Sequence, residues 1–133
     1  MESRKRPKIS QLKSFAVAFQ GIWVLLYNER NFRTHSFISI AVLICGFFFQ
    51  IEKTEWLIIL TMIGFVLTAE ALNTAIEYIC DLVSPEYHPM VKKIKDVAAA
   101  AVLIAAIIAA VIGCIIFIPY IIGVFDKMDV FIL

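Results

Sequence analysis

The chain has 133 residues, enough for one domain, of which 62% are hydrophobic, and its mean hydropathy is +0.90. Soluble domains average about 45–50% apolar residues, so this composition excludes an ordinary soluble domain and indicates a membrane protein. The net charge of +1 conceals an asymmetry: Arg4, Lys5, Arg6, Lys8, Lys13, Arg30 and Arg33 face only Glu2 and Glu29 within the first 33 residues, and the apolar residues between them suit a membrane surface rather than nucleic acid.

In chain order, Leu12, Phe15, Ala16, Phe19, Ile22, Trp23 and Leu26 come first, recurring at helical spacing. Lys13, Ser14, Gly21 and Asn28 occupy the rest of the wheel, which predicts an amphipathic helix over about 10–30, lying on the membrane surface. It does not read as a signal peptide, because its apolar residues are periodic rather than continuous and no small-residue cleavage site follows.

The stretch "SFISIAVLICGFFFQI", extended back towards "NFRTH", predicts a first transmembrane helix over about 34–51. A second is expected over about 55–83 and a third over about 94–122. Residues 97–125 carry no charge, and crossing a bilayer takes about 20 apolar residues; Pro119 is expected to kink or end this last span. Alanines at 98–101, 105, 106, 109 and 110 permit close helix packing. Nothing marks a second domain, so residues 1–133 read as one all-α integral-membrane unit. Three spans offer little core, so self-association is expected. Cys45, Cys80 and Cys114 each sit in an apolar run without CxxC spacing, as small hydrophobes rather than disulfide partners or zinc ligands.

Outside the spans there are seven Lys or Arg before the first, Lys53 between the first and second, Lys92, Lys93 and Lys95 between the second and third, and Lys127 after. The positive-inside rule places the N-terminus and the 84–96 loop in the cytoplasm.

The second span ends in "EALNTAIEYICD". Spacings of 3, 4 and 4 put Glu70, Asn73, Glu77 and Asp81 on one helical stripe. Glu70 lies about 16 Å deeper than Asp81 at 1.5 Å per residue. A charged residue costs about 2.5–3.5 kcal/mol at a span's centre, so the stripe must face protein, ion or water. Three readings fit. In one, the acids serve structure alone by pairing with Arg30, Arg33 or Lys95. One buried acid can exchange a proton for a cation in a small proton-coupled transporter. Or the stripe is an enzyme site, in which carboxylates hold magnesium with substrate phosphates and another acid acts as general base on a membrane alcohol. The loop "SPEYHPMVKKIKD" favours the last, since a lysine there can meet phosphate. No GxxxxGK[ST] or GxGxxG sequence occurs.

"NERNF" at 28–32, "EALNTAIEYICDLVSPEYH" at 70–88 and "KDVAAAAVLI" at 95–104 resemble the bacterial diacylglycerol kinase and undecaprenol kinase family. The resemblance runs from about residue 12 to 118. It implies a small membrane lipid kinase, a homotrimer with three spans and a surface helix per subunit, unrelated to soluble kinases. It implies ATP and Mg2+ as phosphate donor and metal, a membrane lipid alcohol as acceptor, and no nucleic-acid partner. The expected location is the bacterial inner (cytoplasmic) membrane, with the site at its cytoplasmic face.

By this resemblance Glu70 matches the catalytic base that takes the proton of the lipid hydroxyl. Glu29 and Glu77 match metal and nucleotide ligands, while Glu86, Tyr87 and His88 match the nucleotide-contacting loop. Lys95 and Asp96 match the phosphate- and nucleotide-binding pair, and Asn73 and Asp81 match supporting polar residues. His35 stands where the best-known diacylglycerol kinases carry an acid, Ala99 where they carry a serine, and prolines flank the loop at 85 and 89. His35 resembles the Gram-positive undecaprenol kinase branch, so undecaprenol is the expected substrate and diacylglycerol the alternative; as a single side chain it reads as an interfacial histidine.

Overall fold

The computed structural model describes residues 11–132, with side chains described over 11–124. The basic segment Arg4, Lys5, Arg6, Lys8 and the side chains of the tail from 125 onward, Lys127 included, lie outside the described residues. Four helices follow one another: α1 Gln11–Asn28, α2 Arg30–Phe49, α3 Lys53–Val83 and α4 Pro89–Ile132. Three are long and apolar enough to cross a membrane: Arg30–Phe49, Lys53–Val83 and the Pro89–Val124 part of α4.

The break between α1 and α2 is a single residue. Glu29 is extended at φ −99° and ψ 113°, yet its N–H still donates to the Leu25 carbonyl and its carbonyl accepts from Arg33 N. The guanidinium of Arg33 donates to the Tyr27 carbonyl at 2.7 Å. A cation thus satisfies the end of α1, where helix carbonyls lack partners and the dipole is negative. α1 buries none of its residues, and Phe15, Phe19 and Trp23 are exposed.

α2 and α3 form a tight hairpin. α2 stops at Gln50, which takes the left-handed conformation at φ 52° and ψ 48° and donates its N–H back into the last turn. α3 then starts with the Glu55 carboxylate accepting from the Glu52 N–H at 2.8 Å, half of a capping box. Gly46 makes the hairpin possible: a Cβ there would stand 2.8 Å from Trp56 Cη2 and 3.2 Å from Ile51 Cδ1.

The apolar core lies at this hairpin end. Ile51, Ile59 and Ile116 are buried, with Phe49, Trp56, Phe117 and Tyr120 against them. Tyr120 Oη donates to Glu55 Oε2 at 2.7 Å, tying α4 to the first turn of α3. Farther along, the main packing of α3 on α4 buries Ala98, Val102 and Ala105 of α4, the last only 1% exposed. Small side chains let the helix axes approach.

Two expectations change. Pro119 does not end the third span, because α4 continues through it to Ile132; in a long apolar helix the lost backbone bond is tolerated where neighbouring groups re-satisfy it. α4 also begins at Pro89, ahead of the start expected near 94, so Lys92 and Lys93 join Lys95 and Asp96, already expected at the helix start, in its first turns. Proline is well placed at a helix start, where its missing N–H costs nothing.

Candidate active site

α3 carries the stripe as its periodicity predicts, and burial grades along it. Glu70 is 2% and Asn73 is 4% exposed, Glu77 is half-buried and Asp81 exposed. Thr74 is buried beside them at 3%. The polar face therefore points into the molecule at its deep end and reaches water at the other.

Within the stripe Asn73 Nδ2 donates to Glu77 Oε1 at 3.0 Å, an i,i+4 contact that fixes both side chains. The other end of the Asn73 amide, Oδ1, is buried and has no hydrogen-bond partner. A buried acceptor left unpaired is costly and calls for a donor or a cation. Asn31 and His35 of α2 and the carboxylates of Glu77 and Glu29 all lie within electrostatic reach of Glu70.

Glu29 enters the same region from the α1–α2 break. The Tyr78 hydroxyl donates to Glu29 Oε1 at 2.5 Å, across 49 residues of sequence. Tyr78 lies within electrostatic reach of both Glu29 and Glu77, the two expected metal ligands. At the mouth, Lys95 Nζ donates to Asp81 Oδ1 at 2.5 Å, and Lys92 Nζ pairs with Asp96 Oδ2 at 2.5 Å, one turn apart on α4.

Of the expected loop, Glu86, Tyr87 and His88 are exposed. Ser84 Oγ donates to the Glu86 carbonyl at 3.0 Å. His88 Nδ1 accepts from the Met90 N–H at 3.2 Å, and its carbonyl accepts from Lys92 N, so His88 also caps α4.

Among the described residues, no three His, Cys, Asp or Glu side chains come close enough to hold a metal by themselves. The donors present are nonetheless hard oxygens: two carboxylates and the unpaired Asn73 Oδ1. Magnesium is commonly held by one or two carboxylates together with substrate phosphates, and this donor set fits that pattern.

A cavity of about 460 Å³ lies between α2, α3 and α4, lined by His35 and Ser39 of α2, Val66 of α3, one turn before Glu70, and Ala106, Ala109 and Gly113 of α4, among others. The Ser39 hydroxyl is spent on the His35 carbonyl at 2.8 Å, leaving His35 as the polar group at its edge. His35 thus lines the apolar groove and lies within electrostatic reach of Glu70. Tyr78, Asn31 and Thr74 were not singled out from sequence. Asn31 stood inside "NERNF", and Tyr78 directly follows Glu77, but only the fold shows which partners they meet.

Residues 16–117 match the family described as prokaryotic diacylglycerol kinase. Over 107 residues the chain is 47% identical to undecaprenol kinase of Bacillus subtilis, covering 80% of this chain and 87% of that protein. It is 37% identical over 109 residues to diacylglycerol kinase of Synechocystis sp., covering 81% and 62%. It is also 28% identical over 104 residues to diacylglycerol kinase of Escherichia coli (strain K12), covering 78% and 85%.

Proposed function

This chain belongs to the prokaryotic diacylglycerol kinase family and is a lipid kinase, and from that premise we propose that it transfers the γ-phosphoryl group of ATP to undecaprenol, giving undecaprenyl phosphate. The observation that carries the lipid assignment is the 47% identity to a named undecaprenol kinase, against 37% and 28% to the two named diacylglycerol kinases. Family membership also displaces the transporter alternative.

Glu70 is the proposed base. The lipid hydroxyl loses its proton to the Glu70 carboxylate as its oxygen bonds to the γ-phosphorus. The bond from that phosphorus to the β–γ bridging oxygen breaks, and ADP leaves with the electron pair. Burial of Glu70 about one turn beyond Val66, which lines the apolar groove, suits an alcohol arriving sideways from the lipid phase. His35 then stands near the headgroup, where diacylglycerol carries polar esters and a polyprenol does not.

Glu29 and Glu77 are the proposed magnesium ligands, with Asn73 holding Glu77 in place. The metal would neutralise phosphate charge, which matters because phosphoryl transfer rests mostly on positioning and electrostatics. Lys95 and Asp96 would bind phosphate and nucleotide with Glu86, Tyr87 and His88, while Asp81 would orient Lys95. The nucleotide end of the stripe then belongs in the cytoplasm, as the lysines on the 84–96 side suggest. We place α1 on that surface and three copies of the chain in a homotrimer, in a bacterial inner membrane.

The test is paired: kcat/KM for undecaprenol and for diacylglycerol in the same mixed micelles. A tenfold preference for undecaprenol, about 1.4 kcal/mol in the transition state, is expected. An equal preference for diacylglycerol would overturn the lipid assignment and leave the kinase standing.

A further inference from the structure

We infer that Tyr78 is a positioning residue: its hydroxyl holds the Glu29 carboxylate in the orientation that receives the metal ion. The inference rests on the proposed metal role of Glu29. Glu29 is the one extended residue between two helices, half-buried at the end of a helix that buries none of its own residues. The side chain is outside the apolar core. Two contacts set the corner instead. Arg33 holds the α1 carbonyls from one side, and Tyr78, from α3, takes Glu29 Oε1 at 2.5 Å.

That contact is a phenol donating to a carboxylate, the short and strong type of hydrogen bond. A carboxylate has two oxygens and about four acceptor sites. With Oε1 engaged by the phenol, Oε2 is left for a ligand. The residue just before Tyr78 is the other proposed ligand, Glu77, which Asn73 orients in the same way by donating from Nδ2 to Oε1. Each proposed metal carboxylate thus has its own neutral donor on α3. Groups behind metal ligands commonly set ligand orientation and affinity. Tyr78 is 47% exposed and contributes nothing to the core, so its hydroxyl is not explained by packing.

The experiment uses the full chain in detergent, with manganese(II) as the probe and a non-hydrolysable ATP analogue present. Free manganese is read from its electron paramagnetic resonance signal. Tyr78→Phe removes one exposed oxygen and leaves the ring. Its manganese Kd should rise about tenfold, the lower end for groups behind a metal ligand. Glu29→Gln should weaken binding at least as much, and the double variant should bind no worse than Glu29→Gln alone. The kinase should show the same split, with a higher magnesium requirement in Tyr78→Phe and an unaltered KM for lipid. If Glu29→Gln weakens binding while Tyr78→Phe binds as the parent does, the positioning role is overturned and the metal role of Glu29 stands. If neither weakens binding, both fall. Losses that simply add in the double variant also overturn the inference, since residues acting through one contact do not add.

Discussion

Lys95 and Asp81 pair at 2.5 Å between α4 and α3, at the point where the carboxylate stripe reaches water. The side chains are 33% and 66% exposed, so the pair adds at most about 1 kcal/mol to stability. It also fixes Lys95, the residue proposed to bind phosphate, at the end of the stripe.

Asp81→Asn should therefore leave stability within about 1 kcal/mol of the parent. Lys95→Met should be equally well folded but raise the KM for ATP by roughly tenfold, about the 1.4 kcal/mol expected for losing one charged phosphate contact. Steady-state kinetics alongside denaturation in mixed micelles checks both. A Lys95→Met enzyme with a normal KM for ATP would confine the lysine to a structural role.

Glu70→Gln keeps the shape of a 2% exposed side chain and removes its basicity. Turnover should fall by roughly 10² or more, the scale of general-base catalysis, while affinity for the ATP analogue stays put. Rapid-quench single turnovers with lipid in excess measure the chemical step directly. Near-normal turnover in the variant would remove Glu70 from the base role.

Gly113 lines the apolar cavity, and a Cβ built on it meets nothing within 4 Å. Gly113→Leu should fold normally and fill the groove with a side chain. If the lipid's hydrocarbon chain lies there, kcat/KM for lipid drops roughly tenfold, since hydrophobic pockets discriminate by about 1–3 kcal/mol per methylene-sized change. The KM for ATP should not move. Unchanged lipid kinetics would show that the chain takes another route.

Gly46→Ala should destabilise the α2–α3 hairpin. The new methyl would stand 2.8 Å from the Trp56 ring, and relieving such overpacking costs about 1–3 kcal/mol. Trp56→Phe in the same chain should restore part of the loss by removing the ring atoms involved. Unfolding in a denaturing detergent series compares the three variants; an undisturbed Gly46→Ala protein would mean the indole moves freely.

Helix identity was legible because it is local. The α3 stripe could be drawn from spacings of 3 and 4, and the three long apolar helices from hydropathy alone, since neither depends on any other part of the chain. The family resemblance was legible for the same reason: its motifs are short and contiguous. Chain ends of helices were less so. Pro89 starts α4 and Pro119 passes through it, because proline's effect depends on whether its missing bond falls at a helix terminus or among neighbours that re-satisfy the backbone.

What the tertiary structure alone decided are the pairings across the chain. Tyr78 meets Glu29 over 49 residues and Tyr120 meets Glu55 over 65, and no periodicity encodes such distances. Only the packing of α2 against α3 brings His35 within electrostatic reach of Glu70 and into the lining of the apolar cavity. The composition required that buried carboxylates find some partner, because an uncompensated charge in an apolar interior is too costly to keep. Which partner each one found depended on the angle at which Glu29 breaks α1 from α2 and on how closely Gly46 lets α2 approach α3, and those are properties of helices in contact.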